Sequence, residues 1–241
     1  MAQKHGKKYL AAAAKVEKDR TYLPDEAAQL VKDTTFTSFD ATVEAHLRLG
    51  IDPRHADQQI RTTVSLPHGT GKQVRVAVFA QGDAARNAEQ AGADIVGADD
   101  LITRIEKEDF LDFDVAIATP DMMGKVGKLG RILGRRGLMP NPKSGTVVQP
   151  GDIGRAIGEL RKGRVEFRND KTGLLHVAIG KTSFSADQIR DNFAALMGAV
   201  KAAKPSGAKG VYIKSITLTS TMGPGIAVDI TEAQNLSVVE E

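Results

Sequence analysis

Six cations and no carboxylate lie within residues 122–151, in the stretch GKVGKLGRILGRRGLMPNPKSGTVVQPG. Lys125, Lys128, Arg131, Arg135, Arg136 and Lys143 supply positive charge but no nucleophile and no general base. Gly124, Gly127, Gly130, Gly134 and Gly137 recur among them at spacings near one helical turn, so backbone and cations together could approach phosphates closely. Read as a glycine-rich loop, the stretch offers amides and charge to a polyanion, and the rigid Met139-Pro140-Asn141-Pro142-Lys143 turn fixes its exit. The charge is local, because the whole chain carries a formal net charge of only +3 with a pI near 9.0. Residues 70–121, immediately before, hold five basic and eleven acidic side chains. Separation of sign on this scale marks a surface with a task.

Other chemistries find less support. The five histidines stand at 5, 46, 55, 68 and 176, without HxxxH or HExxH spacing, and read as solvated or structurally bonded imidazoles. There is no cysteine, which removes disulfides and thiolate metal sites and fits a reducing compartment. His68-Gly69-Thr70-Gly71-Lys72 hints at a phosphate loop but lacks the GxxxxGK[ST] pattern and precedes a strand where it should follow one. Phe79-Ala80-Gln81-Gly82-Asp83 has one glycine where a dinucleotide fingerprint has three. No GxSxG elbow occurs, so neither an enzyme nor a cofactor is expected. Aromatic residues make up 5% of the chain, too few for a base-stacking platform, and recognition of folded RNA by shape and phosphate fits better.

The elements that must carry these residues fall into two textures. Pro24, Asp25 and Glu26 open a helix through Ala27, Leu30 and Val31. Ala41, Val43, Ala45, Leu47, Leu49 and Ile51 then alternate with Thr42, Glu44, His46 and Arg48, the pattern of a strand with one wet face. Residues 60–66 alternate similarly and are expected to pair with it. From 74–80 and 113–118 come short continuous apolar runs, separated by helical patterns at 84–91 and 101–107, which describe a parallel α/β unit. A helix at 153–160 ends in Arg161-Lys162-Gly163. Alternation returns at 164–168 and 174–179, a helix spans 186–203, and alternating runs at 211–219 and 226–230 follow. With 241 residues, 41% hydrophobic and 26% charged, there is material for two modest cores. The fold class is α/β: a discontinuous α+β domain (1–69 and 161–241) interrupted by an inserted Rossmann-like parallel α/β domain of three layers (70–160), with hinges near 67–69 and 158–163. The basic N-terminus MAQKHGKKYLAAAAK has too short an apolar run for a secretory signal, and no stretch approaches the roughly 20 apolar residues of a membrane span. A cytoplasmic protein without a membrane partner is expected.

Four segments, GRILGRRGLMPNPKSGTV (130–147), LGIDPRHADQQIRTTVSLPHGTGK (49–72), FRNDKTGLLHVAIGK (167–181) and KGVYIKSITLTSTMGPG (209–225), closely resemble the bacterial ribosomal proteins of the large-subunit mobile stalk, the universal first-numbered family of that subunit. The similarity runs along essentially the whole chain. It implies a two-domain, hinged protein of the large ribosomal subunit that binds the 23S ribosomal RNA stalk, assists release of deacylated tRNA from the E site, and represses translation by binding its own operon mRNA. It also places the main RNA contact on the split domain, at exposed strand edges and a Thr-Met-Gly turn, here Thr221-Met222-Gly223. Thr would bring a hydroxyl for a 2′-OH or phosphate, Met a soft apolar surface and Gly a close backbone approach. Phe39 and Thr42 match contact positions at the entry to the first strand, Ser215 matches a polar one on a later strand, and Glu44, Arg168 and Lys181 are assigned to the same face. By residue type alone, Phe39 and Met222 would be core side chains. The six cations of the opening stretch then become a secondary RNA contact on the inserted domain. Arg135 stands where the family usually has proline, which frees the backbone and adds a charge.

Overall fold

Residues 5–237 are described by a computed structural model, which divides into two units, Met1–Gly71 with Gly163–Glu241, and Lys72–Lys162. Helices α1 (Lys7–Ala13) and α2 (Pro24–Asp33) and strands β1 (Thr42–Leu49) and β2 (Arg61–Ser65) open the first unit. The second comprises β3 (Val76–Phe79), α3 (Asp83–Gln90), β4 (Ile95–Gly97), α4 (Asp99–Glu108), β5 (Val115–Ala118), α5 (Pro120–Val126), α6 (Gly130–Arg136) and α7 (Ile153–Arg161). The chain then returns to the first unit through β6 (Arg164–Arg168), β7 (Leu174–Lys181), α8 (Ala186–Ala202), β8 (Ile213–Ser220), β9 (Ile226–Val228) and α9 (Ile230–Asn235).

In the first unit, the period-two pattern of β1 buries Val43, Ala45, Leu47 and Leu49 and turns Thr42, Glu44, His46 and Arg48 outward. β1 lies inside an antiparallel sheet of order β7-β1-β8-β9. The buried face packs against α2, α8 and α9, where Val31, Ile189, Phe193, Val200 and Ala233 join Leu175, Val177, Ile216 and Leu218 in one core. Pro24 begins α2 with Asp25 and Glu26 in its first turn, and Ser185 begins α8 with a reciprocal capping box to Gln188. β2 does not pair with β1, contrary to its alternating pattern. Both edges of β1 are taken by β7 and β8, so β2 joins β6 in a separate two-stranded antiparallel sheet.

The second unit is a parallel sheet of order β4-β3-β5 whose central strand is buried on both faces. Ala77 and Phe79 meet Leu101, Ile105, Met122 and Leu133 from α4, α5 and α6, whereas Val76 and Val78 meet Ala84, Ala88, Ile153 and Leu160 from α3 and α7. Helices on both faces of a parallel sheet make the three layers. The basic stretch corrects its reading as a loop. It folds as α5, a 3-10 turn (Gly127–Leu129) and α6, because Met122, Val126, Leu129 and Leu133 fall at helical spacing and are all buried. Its interior amides are therefore largely spent on the helix. Gly158 lies inside α7, where buried Ile157 and Leu160 accompany a helix that runs unbroken to Arg161, so the expected hinge region 158–163 is helical over its first four residues. Among the described residues, no helix is long and apolar enough to cross a membrane.

Candidate nucleic-acid interface

Three strand ends meet at one end of the outer sheet face. A bulge leaves Ile179 of β7 without a partner, so that Lys181 comes opposite Thr42 of β1 and its ammonium donates to the Thr42 hydroxyl at 2.9 Å. On the other flank, the Thr221 amide donates to the Thr42 carbonyl at 2.9 Å, and the Thr221 hydroxyl accepts from the Thr42 amide at 3.1 Å. That hydroxyl also lies within 3.3 Å of the Thr42 carbonyl, to which it donates. The group expected to reach for RNA is thus turned inward, and its work is to fasten the turn to β1.

The turn itself closes through the Gly223 amide, which donates to the Ser220 carbonyl at 2.7 Å. Met222 holds φ +67°, the arrangement of a type II turn, in which glycine is favoured at that position. A Cβ on Gly223 would lie 2.4 Å from the Ser220 hydroxyl, so only glycine permits the close approach. Met222 is 69% exposed and Phe39 56%, which sets aside the core reading of both. Phe39 precedes β1 on a loop held by Asp40, whose carboxylate accepts from the Thr182 hydroxyl at 3.1 Å and from the Ser183 amide and hydroxyl at 3.0 and 2.9 Å. Burial opposes the Asp40 charge, but the hydrogen bonds from Ser183 and Thr182 outweigh it and hold the carboxyl below its ordinary value.

Further along the face, register sets up rows of side chains: Glu44 between Ala178 and Thr219, His46 between His176 and Thr217, and Arg48 between Leu174 and Ser215. Glu44, Lys181 and Ser215 therefore share one face with Thr42. Thr217, Thr219 and His176 also belong to it and were missed, although residues two apart along alternating β7 and β8 must share a side. Arg168 does not belong to this sheet. It sits on β6 opposite Arg61 and lines a cavity of about 740 Å³, which His176 also lines.

In the second unit, Lys128, Arg131 and Arg135 lie at i, i+3 and i+7 on the exposed side of the α5–α6 segment, with Arg136 beside them. Arg135 and Arg136 occupy the last turn of α6, where cations complement the helix dipole. Lys143 follows in a turn capped by Asn141, whose side-chain oxygen accepts from the Lys143 amide at 2.8 Å. Lys125 differs, because Asp99 lies 2.7 Å from its ammonium and offsets its charge. Among the described residues, no group of three or more His, Cys, Asp or Glu is gathered to hold a metal ion.

A family model described as the Ribosomal protein L1p/L10e family matches residues 31–224. The protein named large ribosomal subunit protein uL1 from Chloroflexus aggregans (strain MD-66 / DSM 9485) is 72% identical over 235 residues, covering 98% of this chain and 99% of that one. Its namesake from Chloroflexus aurantiacus (strain ATCC 29366 / DSM 635 / J-10-fl) is 72% identical over 233 residues, covering 97% and 98%. With matches of that extent, the chain belongs to the ribosomal protein L1p/L10e family, whose members are structural proteins and not enzymes.

Proposed function

We propose that this protein is a structural constituent of the large ribosomal subunit that binds the 23S ribosomal RNA stalk through the outer sheet face of its first unit. Met222 is the observation that carries the reading. A left-handed backbone costs a non-glycine residue about 1–2 kcal/mol, and here the strained residue projects a large apolar side chain into solvent. The backbone serves the turn, but the side chain is exposed and available to a ribose or base. Around it, Phe39 gives a second apolar surface, Lys181 a cation and Thr42 a hydroxyl, and further along the same face Ser215 gives another. Glu44 repels phosphate and accepts from 2′-OH or base amine groups, so the face selects for folded RNA over charge alone.

The same face serves for repression, since an operon mRNA folded like the stalk competes for it. The exposed cations Lys128, Arg131, Arg135, Arg136 and Lys143 form the secondary contact, directed at E-site tRNA and its release, with Lys125 the weakest contributor. The protein acts on the cytoplasmic ribosome, without a cofactor or a membrane partner.

The test is a titration against a stalk RNA fragment and a scrambled control over a salt series. Wild-type protein is expected to discriminate by about a thousandfold or more, with a salt slope reporting several neutralised phosphates. Met222→Asp is expected to lose at least about tenfold of the specific affinity, equivalent to roughly 1.4 kcal/mol. Retained wild-type affinity in that variant removes the turn from the site, and equal weak binding of both RNAs refutes specific recognition.

A further inference from the structure

Two imidazoles meet in the middle of the outer sheet face. His46 on β1 and His176 on β7 are register partners, and their Nδ1 atoms are 2.7 Å apart, so one ring donates and the other accepts. On its other side, His46 Nε2 lies 3.6 Å from Glu44 Oε2. A proton on His46 Nε2 faces that carboxylate and leaves His46 Nδ1 as the acceptor. His176 then donates from Nδ1, and its Nε2 is the nitrogen left for a further proton. Two N–H groups cannot face each other at 2.7 Å, so in this geometry the pair takes up one proton, whose charge is stabilised through His46 by Glu44. Burial and the neighbouring imidazole hold His46 below the ordinary imidazole range, with Glu44 acting in the opposite direction, which fits His46 as the neutral member.

His176 also lines the cavity that Arg168 and Lys171 enter. Of the other charges facing that cavity, Arg61 is paired with Glu166. Asp170 accepts from the Leu174 amide and from the hydroxyl and amide of Thr172, which hold its carboxyl below the ordinary value, and it remains an anion beside His176 that favours the imidazolium while repelling a phosphate placed against it. Arg48 follows on β1, and Thr217 of β8 flanks His46 without titrating. Arg168 and Lys171 have no ion pair among the described residues and stay available to an anion.

We propose that His176 is a further phosphate-contacting residue of the RNA face, carrying one proton held by the His46–Glu44 relay, with Arg168 and Lys171 completing the seat. This rests on the RNA-binding reading above. A phosphate stabilises the imidazolium, so protonation and RNA binding favour each other and affinity falls as pH rises. With a single proton the slope cannot exceed tenfold in affinity per pH unit.

The experiment titrates the full chain with a stalk RNA fragment at constant salt, from about pH 5.5 to 8.5, a range that brackets the ordinary imidazole value of about 6.5. Wild-type affinity is expected to fall about three- to tenfold per unit on the steep part of the curve. His176→Gln is expected to give a flat profile at the weaker, deprotonated level. In imidazole NMR of the wild-type protein, the His176 midpoint should move upward when RNA is added, a readout independent of whether the variant folds. A flat wild-type profile, a retained slope in His176→Gln, or an unmoved midpoint overturns the proposal. Where the wild type still prefers stalk RNA to the scrambled control, that failure is confined to His176; where it shows no preference, the RNA-binding reading falls as well.

Discussion

Thr221 is the residue on which the turn depends, because one hydroxyl joins both the amide and the carbonyl of Thr42. Thr221→Val keeps the shape and leaves the Thr42 amide without that acceptor, a loss of about 1–3 kcal/mol. A lowered urea midpoint together with weaker RNA binding is the expected result, and Thr221→Ser should restore both. An unchanged midpoint in the valine variant would show that the hydroxyl fastens nothing. The Thr-Met-Gly sequence signals a turn with one close approach, and that much could be read from residue types. The inward direction of the hydroxyl could not, since its partner is 179 residues away and is found only through strand register. His176 escaped notice for the same reason: a lone histidine carries no signal until a second ring stands across from it.

The helices and strands show where local pattern suffices and where it does not. β1, β7, α2 and α8 were legible because alternation, Pro24 and the amphipathic pattern of residues 186–203 are local signals. The partner of β2 was not, since alternation records a wet face and says nothing of which edge is free. α1, α9 and β4 are only seven, six and three residues long, too short for a periodic signal to accumulate. The α5–α6 segment was misjudged because its glycines argue for a loop while its buried Leu129 and Leu133 dictate a helix. Glycine there is tolerated, not required: a Cβ at Gly134 meets nothing within 4 Å. Gly134→Ala is therefore expected to stabilise the second unit by about 0.5–1 kcal/mol. Gly163→Ala should do the opposite and by more, because Gly163 holds φ +99° and its added Cβ would lie 2.3 Å from the Gly69 Cα. Thermal melts of the two variants check both signs, and a destabilised Gly134→Ala would mean that the helix is held in a form alanine cannot adopt.

For the molecule as a whole, the place where the chain leaves and rejoins the first unit is narrow. The Leu66 amide donates to the Gly163 carbonyl at 3.1 Å, and buried Asn192 of α8 clasps the Gly69 carbonyl at 2.8 Å and the His68 amide at 3.0 Å. Two ends held this close tolerate a short link in place of what lies between them. Replacing residues 72–162 with a short Gly-Ser connector should leave a cooperatively folding protein whose affinity for stalk RNA stays within about tenfold of wild type, read by melting and RNA titration. Loss of specific RNA binding by a folded product would show that the second unit contributes to primary recognition. The topology also sets a schedule. β1 leaves the peptidyl-transferase tunnel early, yet both strands that flank it, and Thr221, are translated more than a hundred residues later, after the whole second unit. A nascent or prematurely terminated polypeptide therefore displays the cations of α5–α6 before it has completed the proposed RNA-binding face. If the outer sheet face is the RNA site proposed above, recognition becomes possible only near the end of synthesis, and fragments from a broken message would not compete with finished protein.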